Sequence, residues 1–113
     1  MDKIISLKAD AQFKKIYKKG ASSVRSSLVL YARRNGLKVN RLGITTSKKI
    51  GNAVVRNRSK RRLREIYRKY FCDLEQGYDF ILVARGKTAR VPFSKIEDDF
   101  SKAVSELEVL RNA

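Results

Sequence analysis

Histidine is absent from this sequence, and cysteine occurs once, as Cys72. Ser-His-Asp and Cys-His catalysis are therefore excluded within the chain. A zinc site would need several carboxylates in place of the usual His and Cys ligands, and acids are scarce as well, at 11 of 113 residues. A single cysteine cannot build an internal disulfide framework. Cys72 is expected at a helix end, packed against the core. No run of 18 apolar residues occurs, so no transmembrane helix is expected. The first ten residues lack the apolar centre of a signal peptide. These absences predict a cytoplasmic protein. No internal repeat, low-complexity tail or linker is visible, so residues 1–113 are expected to form one domain.

What the chain has in excess is positive charge. Lys plus Arg number 27 against those 11 acids, for a net charge of +16. Hydrophobic residues make up 42%, enough for a core. A small folded domain carries this much self-repulsion when a polyanion neutralises it. Nucleic acid and an anionic membrane surface are the candidates. The charge is also uneven: +8 over residues 1–40, +10 over 41–70, zero over 71–93 and −2 over 94–113. The polyanion should meet the first two thirds, and the C-terminal helix should be scaffold.

Periodicity predicts a helix over 9–19, where Ala9, Phe13, Ile16 and Tyr17 recur at helical spacing and Gly20 supplies a stop. Residues 24–34 read as a strand, with Leu28, Leu30 and Ala32 on one face and Val29 and Tyr31 on the other. Asn35-Gly36 is a turn signal. Strands are expected at 37–39 and 42–46, then a basic connector at 47–51. A long helix without internal Gly or Pro spans 52–71. The apolar run 78–84 reads as a central strand. Ser94 and Glu97 have the spacing of a capping box for a last helix reaching about Leu110. The order α-β-β-β-α-β-α implies an α/β domain with a sheet of about four strands and helices on it.

The long helix carries the strongest signal. At about 100° per residue, Lys60, Arg61, Arg64 and Arg68 fall within about 60° of Asn57. Val55, Leu63, Ile66 and Tyr70 fall opposite, with Arg58, Arg62 and Lys69 on one border and Arg56 and Tyr67 on the other. An ordinary solvated face mixes signs, because like charges four residues apart destabilise a helix. Here Glu65 is the only acid, and Lys60, Arg64 and Arg68 repeat like charge every turn. Arginine predominates, and its planar fork binds phosphate in a bidentate manner and stacks on bases. A membrane-surface helix needs a free apolar face, whereas this apolar face is needed for the core. A DNA-reading helix-turn-helix is mostly helical, whereas strands precede this helix. Structured RNA fits best. Phe13 and Tyr17, one turn apart, and Tyr31 on the first strand read either as core packing or as a stacking platform for single-stranded bases.

The segment SKKIGNAVVRNRSKRRLREIYR (47–68) resembles the signature of the bacterial ribonuclease P protein subunit. It holds Lys48, Lys49, Gly51 and Asn52, then Arg56-Asn57-Arg58, then Lys60, Arg61 and Arg64. FKKIYKKG (13–20), LVLYAR (28–33), RLGITTSKK (41–49) and YDFILVAR (78–85) extend the resemblance over nearly the whole chain. The resemblance implies an α+β two-layer sandwich with a mixed four-stranded sheet, like the second domain of a small-subunit ribosomal protein, with a left-handed β-α-β crossover through the basic helix. It implies a non-catalytic subunit of an endonuclease that removes the 5′ leader from precursor tRNA, with an RNA subunit as catalyst and Mg²⁺ held mainly by that RNA and the substrate. By position, Lys48, Lys49, Asn52, Arg56, Asn57, Arg58, Lys60, Arg61, Arg64 and Arg68 would bind the catalytic RNA. Phe13, Tyr17, Tyr31 and Arg85 would bind the leader. No protein metal site and no membrane partner are implied. Two positions depart from the family pattern. Tyr17 stands where Phe is common, and a phenol still stacks. Ser59 stands where an apolar residue is common, near the core face, and needs a partner such as a backbone carbonyl one turn back.

Two other functions share parts of this pattern. A ribosomal-type RNA-binding protein or an RNA chaperone would share the charge but not the Arg56-Asn57-Arg58 spacing beside an aromatic first helix. A protein-only nuclease would need clustered carboxylates. The densest acids, Glu97, Asp98 and Asp99, sit at a helix start, where capping and the helix dipole account for them.

Overall fold

A computed structural model describes residues 4–111. In chain order the elements are β1 (Ile5–Ser6), α1 (Asp10–Lys19), β2 (Ala21–Val24), β3 (Leu28–Arg34), β4 (Arg41–Thr45), α2 (Ala53–Tyr70), β5 (Tyr78–Ala84) and α3 (Phe93–Glu106). The five strands form one mixed sheet in the order β1-β4-β5-β3-β2. β3 is antiparallel to β2 and β5, and β4 is parallel to β1 and β5. α2 is thus the crossover between the adjacent parallel strands β4 and β5.

The period-2 pattern of β3 divides the molecule. Leu28, Leu30 and Ala32 join Leu42, Phe80, Leu82 and Ala84 under α2 and α3, where Leu63, Ile66, Tyr67, Ile96, Phe100 and Val104 complete the main core. Tyr31 points to the other face with Ile81 and Val83, where α1 lays down Phe13 and Ile16 beside Leu7. The sheet and α2/α3 make the two-layer body, and α1 covers only part of the opposite face. Val24, at the far edge, remains 64% exposed.

Several expectations are corrected. The strand expected over 24–34 is a hairpin, β2 and β3, with its turn at residues 25–27. That turn contains no Gly or Pro and is held from afar. The Asp99 carboxylate on α3 accepts from the Ser27 amide (3.0 Å), the Ser27 hydroxyl (2.6 Å) and the Ser26 hydroxyl (3.3 Å). Residues 37–39 are a loop rather than a strand, because side chains occupy its backbone. Leu37 N–H donates to Asn35 Oδ1 (2.8 Å), and Asn35 Nδ2 donates to the Val39 carbonyl (3.0 Å). With β1 added, the sheet has five strands among the described residues in place of the expected four. The connector at 47–51 contains a 3-10 turn, Lys48–Ile50.

The last helix begins at Phe93 after Pro92, and no side chain caps it. Glu97 instead pairs with Lys69 of α2, and that bond holds the ammonium above its ordinary range. The helix ends at Glu106, short of Leu110, which bridges back to Leu74. Cys72 lies exposed in the 3-10 turn Phe71–Asp73 that follows α2, and Leu74 takes the buried position.

Tyr67, read from the wheel as a border residue, is fully buried, while Tyr70 is half-buried against Phe100 with 5.3 Å between ring centroids. Burial pushes the Tyr67 hydroxyl far above its ordinary range. That hydroxyl finds no hydrogen-bonding partner among the described residues. An unsatisfied buried hydroxyl destabilises the fold. Tyr67→Phe is therefore expected to raise stability by about 1 kcal/mol, read as a higher urea midpoint at unchanged slope. A clear loss of stability would show that the hydroxyl is bonded.

Candidate functional site

The basic stripe forms where the wheel places it. Asn57, Arg58, Arg61, Arg64 and Arg68 are exposed along α2, with Lys60 half-buried beside them. The opposite face holds Ser59, Leu63, Ile66 and Tyr67 in the core. Ser59 finds its partner one turn back, its hydroxyl donating to the Val55 carbonyl at 2.9 Å. Asn52 is the N-cap, its Oδ1 accepting from Val55 N–H at 3.0 Å. Arg56 is half-buried and donates to the Gly51 carbonyl at 2.9 Å, so it also closes the turn that leads into α2. Lys48 and Lys49 are exposed on that turn.

The stripe does not take every cation of α2. Arg62 is half-buried and directs its fork at two carbonyls, Thr88 (2.9 Å) and Val91 (2.7 Å), with Phe93 beneath it. Burial first, and then the neighbouring Arg58, push its guanidinium below the ordinary range. Arg62 is a structural strut between α2 and the chain after β5.

The aromatic residues assemble on the opposite sheet face. Tyr17 and Tyr31 meet edge to face, with centroids 4.9 Å apart and an interplanar angle of 86°. The Tyr17 hydroxyl lies 3.1 Å from Thr45 Oγ1, while the residue as a whole stays 39% exposed. Phe13 packs closely over β4 because Gly43 has no side chain: a Cβ there would fall 2.5 Å from the Phe13 ring. Half-buried Val29 and Val83 continue the same face. The result is a partly exposed aromatic and aliphatic surface, the cleft of the sequence reading, whose rings have the chemistry to stack unpaired bases.

Stripe and cleft meet at the β4 edge. A concavity of about 180 Å³ there is lined by Lys60 and Arg64 from α2 and by Phe13 from α1, over Leu42, Gly43 and Ile44. Arg85 lines a different concavity. It sits past the end of β5, donates to the Arg25 carbonyl at 3.0 Å, and shares its hollow with Lys49. Sequence reading missed Lys87 and Arg90 in that hollow. No periodic pattern marks them, because they lie in a turn.

The fold and surface define a class: a small α+β protein with a continuous basic face on one long helix and a group of partly exposed aromatic rings on the opposite face of the sheet. A sequence profile of the family described as Ribonuclease P matches residues 1–108. A ribonuclease P protein component of Caldanaerobacter subterraneus subsp. tengcongensis is 42% identical over 105 residues, covering 93% of this chain and 90% of that one. Another from Natranaerobius thermophilus is 37% identical over 111 residues, covering 98% and 96%. The solved RNase P protein of Staphylococcus aureus superposes with a TM-score of 0.84 at 33% identity, covering 96% of this chain and all of that one. The chain belongs to the ribonuclease P protein family. It takes the part of the protein subunit in 5′ maturation of tRNA, with an RNA subunit as partner and as catalyst.

Proposed function

We infer that the chain divides its surface between two RNAs. The α2 stripe (Arg56, Asn57, Arg58, Lys60, Arg61, Arg64 and Arg68), with Lys48, Lys49 and Asn52 before it, binds the catalytic RNA. The cleft of Phe13, Tyr17 and Tyr31 takes the single-stranded 5′ leader of precursor tRNA, with Arg85 beyond it. The observation that carries this reading is the placement of Phe13 beside the stripe. Lys60 and Arg64 border the concavity that Phe13 lines, so a strand stacked in the cleft passes directly onto the basic helix.

Magnesium fits the RNA better than the protein. Lysines, arginines and aromatic rings face both halves of the surface, and among the described residues no group of three or more Asp, Glu, His or Cys gathers to hold a metal. The ion required for hydrolysis would sit on RNA and substrate phosphates, and the protein's cations would screen those phosphates from each other. No described helix is long and apolar enough to cross a membrane. A bacterial cytoplasm, where tRNA precursors are made, suits this work.

The test is reconstitution with a bacterial ribonuclease P RNA and a precursor tRNA at low magnesium. Restored 5′ cleavage is expected, and no effect of the protein would sink the reading. Cleavage by the chain alone would move catalysis to the protein. Phe13→Ala should weaken holoenzyme affinity for leader-bearing substrate by roughly 1–3 kcal/mol if a base stacks on the ring. Mature tRNA should bind unchanged. An equal loss for both would reduce the ring to packing.

A further inference from the structure

Lys49, which precedes the stripe, and Arg85, which lies beyond the cleft, also share a hollow of their own. It encloses about 520 Å³ and is lined by Lys49, Arg85, Lys87 and Arg90, with Ser26, Ile50 and Gly86 completing the wall. Four cations converge there, and no acid among the described residues lines it. We propose that this basin is a third RNA contact, a binding site for the phosphodiester backbone of an RNA strand.

The loop that carries three of these cations is built to hold one shape. It closes on itself through Thr88 N–H to the Arg85 carbonyl (3.0 Å) and Arg90 N–H to the Lys87 carbonyl (3.0 Å). Thr88 is fully buried beneath it. Its hydroxyl accepts from Arg85 N–H (2.8 Å) and donates to the Ser27 carbonyl (2.6 Å). Ser27 is in turn gripped by Asp99, and Arg62 braces the Thr88 and Val91 carbonyls from α2. Burial alone would raise the Asp99 carboxyl, but the Ser27 hydroxyl and amide together with Lys95 outweigh it and hold the group below its ordinary range. The anchor is therefore ionised at neutral pH.

This arrangement fits phosphate better than open solvent. Like charges fixed around a concavity repel one another and focus a positive potential into it, and a bound anion relieves that repulsion. A loop already in place loses little conformational freedom when it binds. No aromatic ring lines the hollow, so it offers a base nothing to stack on. Its chemistry is for the sugar-phosphate backbone of either the leader or the catalytic RNA.

The proposal rests on the two-RNA reading, and its test separates the two. Lys87→Gln with Arg90→Gln removes two basin cations that have no place in the stripe or the cleft. Binding is measured against salt for the catalytic RNA alone, and for the reconstituted holoenzyme with precursor tRNAs of long and short leader. The slope of log K against log salt should flatten by up to about 1.4, at about 0.7 per single-strand phosphate contact. Affinity at moderate salt should fall roughly tenfold. A loss with catalytic RNA alone assigns the basin to that RNA, and a loss confined to long leaders assigns it to the substrate. Thr88→Val removes no charge, yet it should flatten the same slope by releasing the loop. A thermal melt establishes that this variant is folded. Unchanged slope and affinity for both RNAs in the double variant would overturn the basin. If the unaltered chain fails to restore cleavage in the same reconstitution, the parent reading falls instead.

Discussion

Replacing Arg58 and Arg61 together with alanine is expected to weaken binding to the catalytic RNA by about 3 kcal/mol or more at low salt, on the order of a hundredfold. Each guanidinium can make a charge-assisted hydrogen-bonded contact with phosphate, worth about 1.5–3 kcal/mol. Both side chains are exposed on α2, and neither is held by an acid among the described residues. Their loss should therefore leave the thermal midpoint almost unchanged. The slope of log K against log salt should flatten by up to about 0.7 per contact. An affinity loss at constant slope would mean that the two residues act through helix shape rather than through phosphate. Arg62, on the same helix, makes the contrast instructive. Its fork already grips two backbone carbonyls, so its loss should appear in the melt as well as in RNA binding. The two outcomes separate a cation that supports the fold from one that is open to solvent.

That distinction also marks what could be read from the sequence. Period and sign located α2, its buried face and its stripe, because both are local properties of one helix. The alternation in β3 placed Tyr31 on the face opposite Leu30, and Phe13 and Tyr17 shared a side of α1, so the rings were legible as a group, while the choice between packing and stacking was not. Ser59 announced its own need for a carbonyl one turn back. The misreadings fall where a distant side chain decides the local backbone. The turn at 25–27 has no turn residues because Asp99 supplies its hydrogen bonds from α3. Residues 37–39 have strand-like residues, but Asn35 binds their backbone, and next to them Asn40 reaches the Glu75 carbonyl and Tyr78 N–H. Ser94 and Glu97 have capping spacing, but Lys69 takes Glu97. The basin was missed for the same reason. Lys49 and Arg85 lie far apart in sequence, and only the meeting of two loops brings them together.

Asp79→Ala should cost the fold about 3 kcal/mol, a large share of the stability of a domain this size. Asp79 pairs with Arg41 directly across β4 and β5, through Nε–Oδ1 and Nη2–Oδ2 at 2.8 Å each. Its Oδ1 also accepts from Asn35 Nδ2 at 2.9 Å. The carboxylate is 7% exposed and the guanidinium 23%. The side-chain bond to Asp79 outweighs the cost of burial and holds Arg41 above its ordinary range. Removing the acid strands a part-buried cation and frees the Asn35 amide that organises the loop before β4. Partial exposure of Arg41 lets water recover some of the loss, which places the estimate at the low end for a broken buried pair. The double variant Arg41→Met with Asp79→Val should recover much of it, since matched apolar side chains often replace such a pair without penalty. Urea unfolding of four chains, the unaltered one, Arg41→Met, Asp79→Val and the double variant, measures the coupling directly. A double variant as unstable as the sum of the single ones would show that the pair is not coupled, and that the loss comes from Asn35 and the loop.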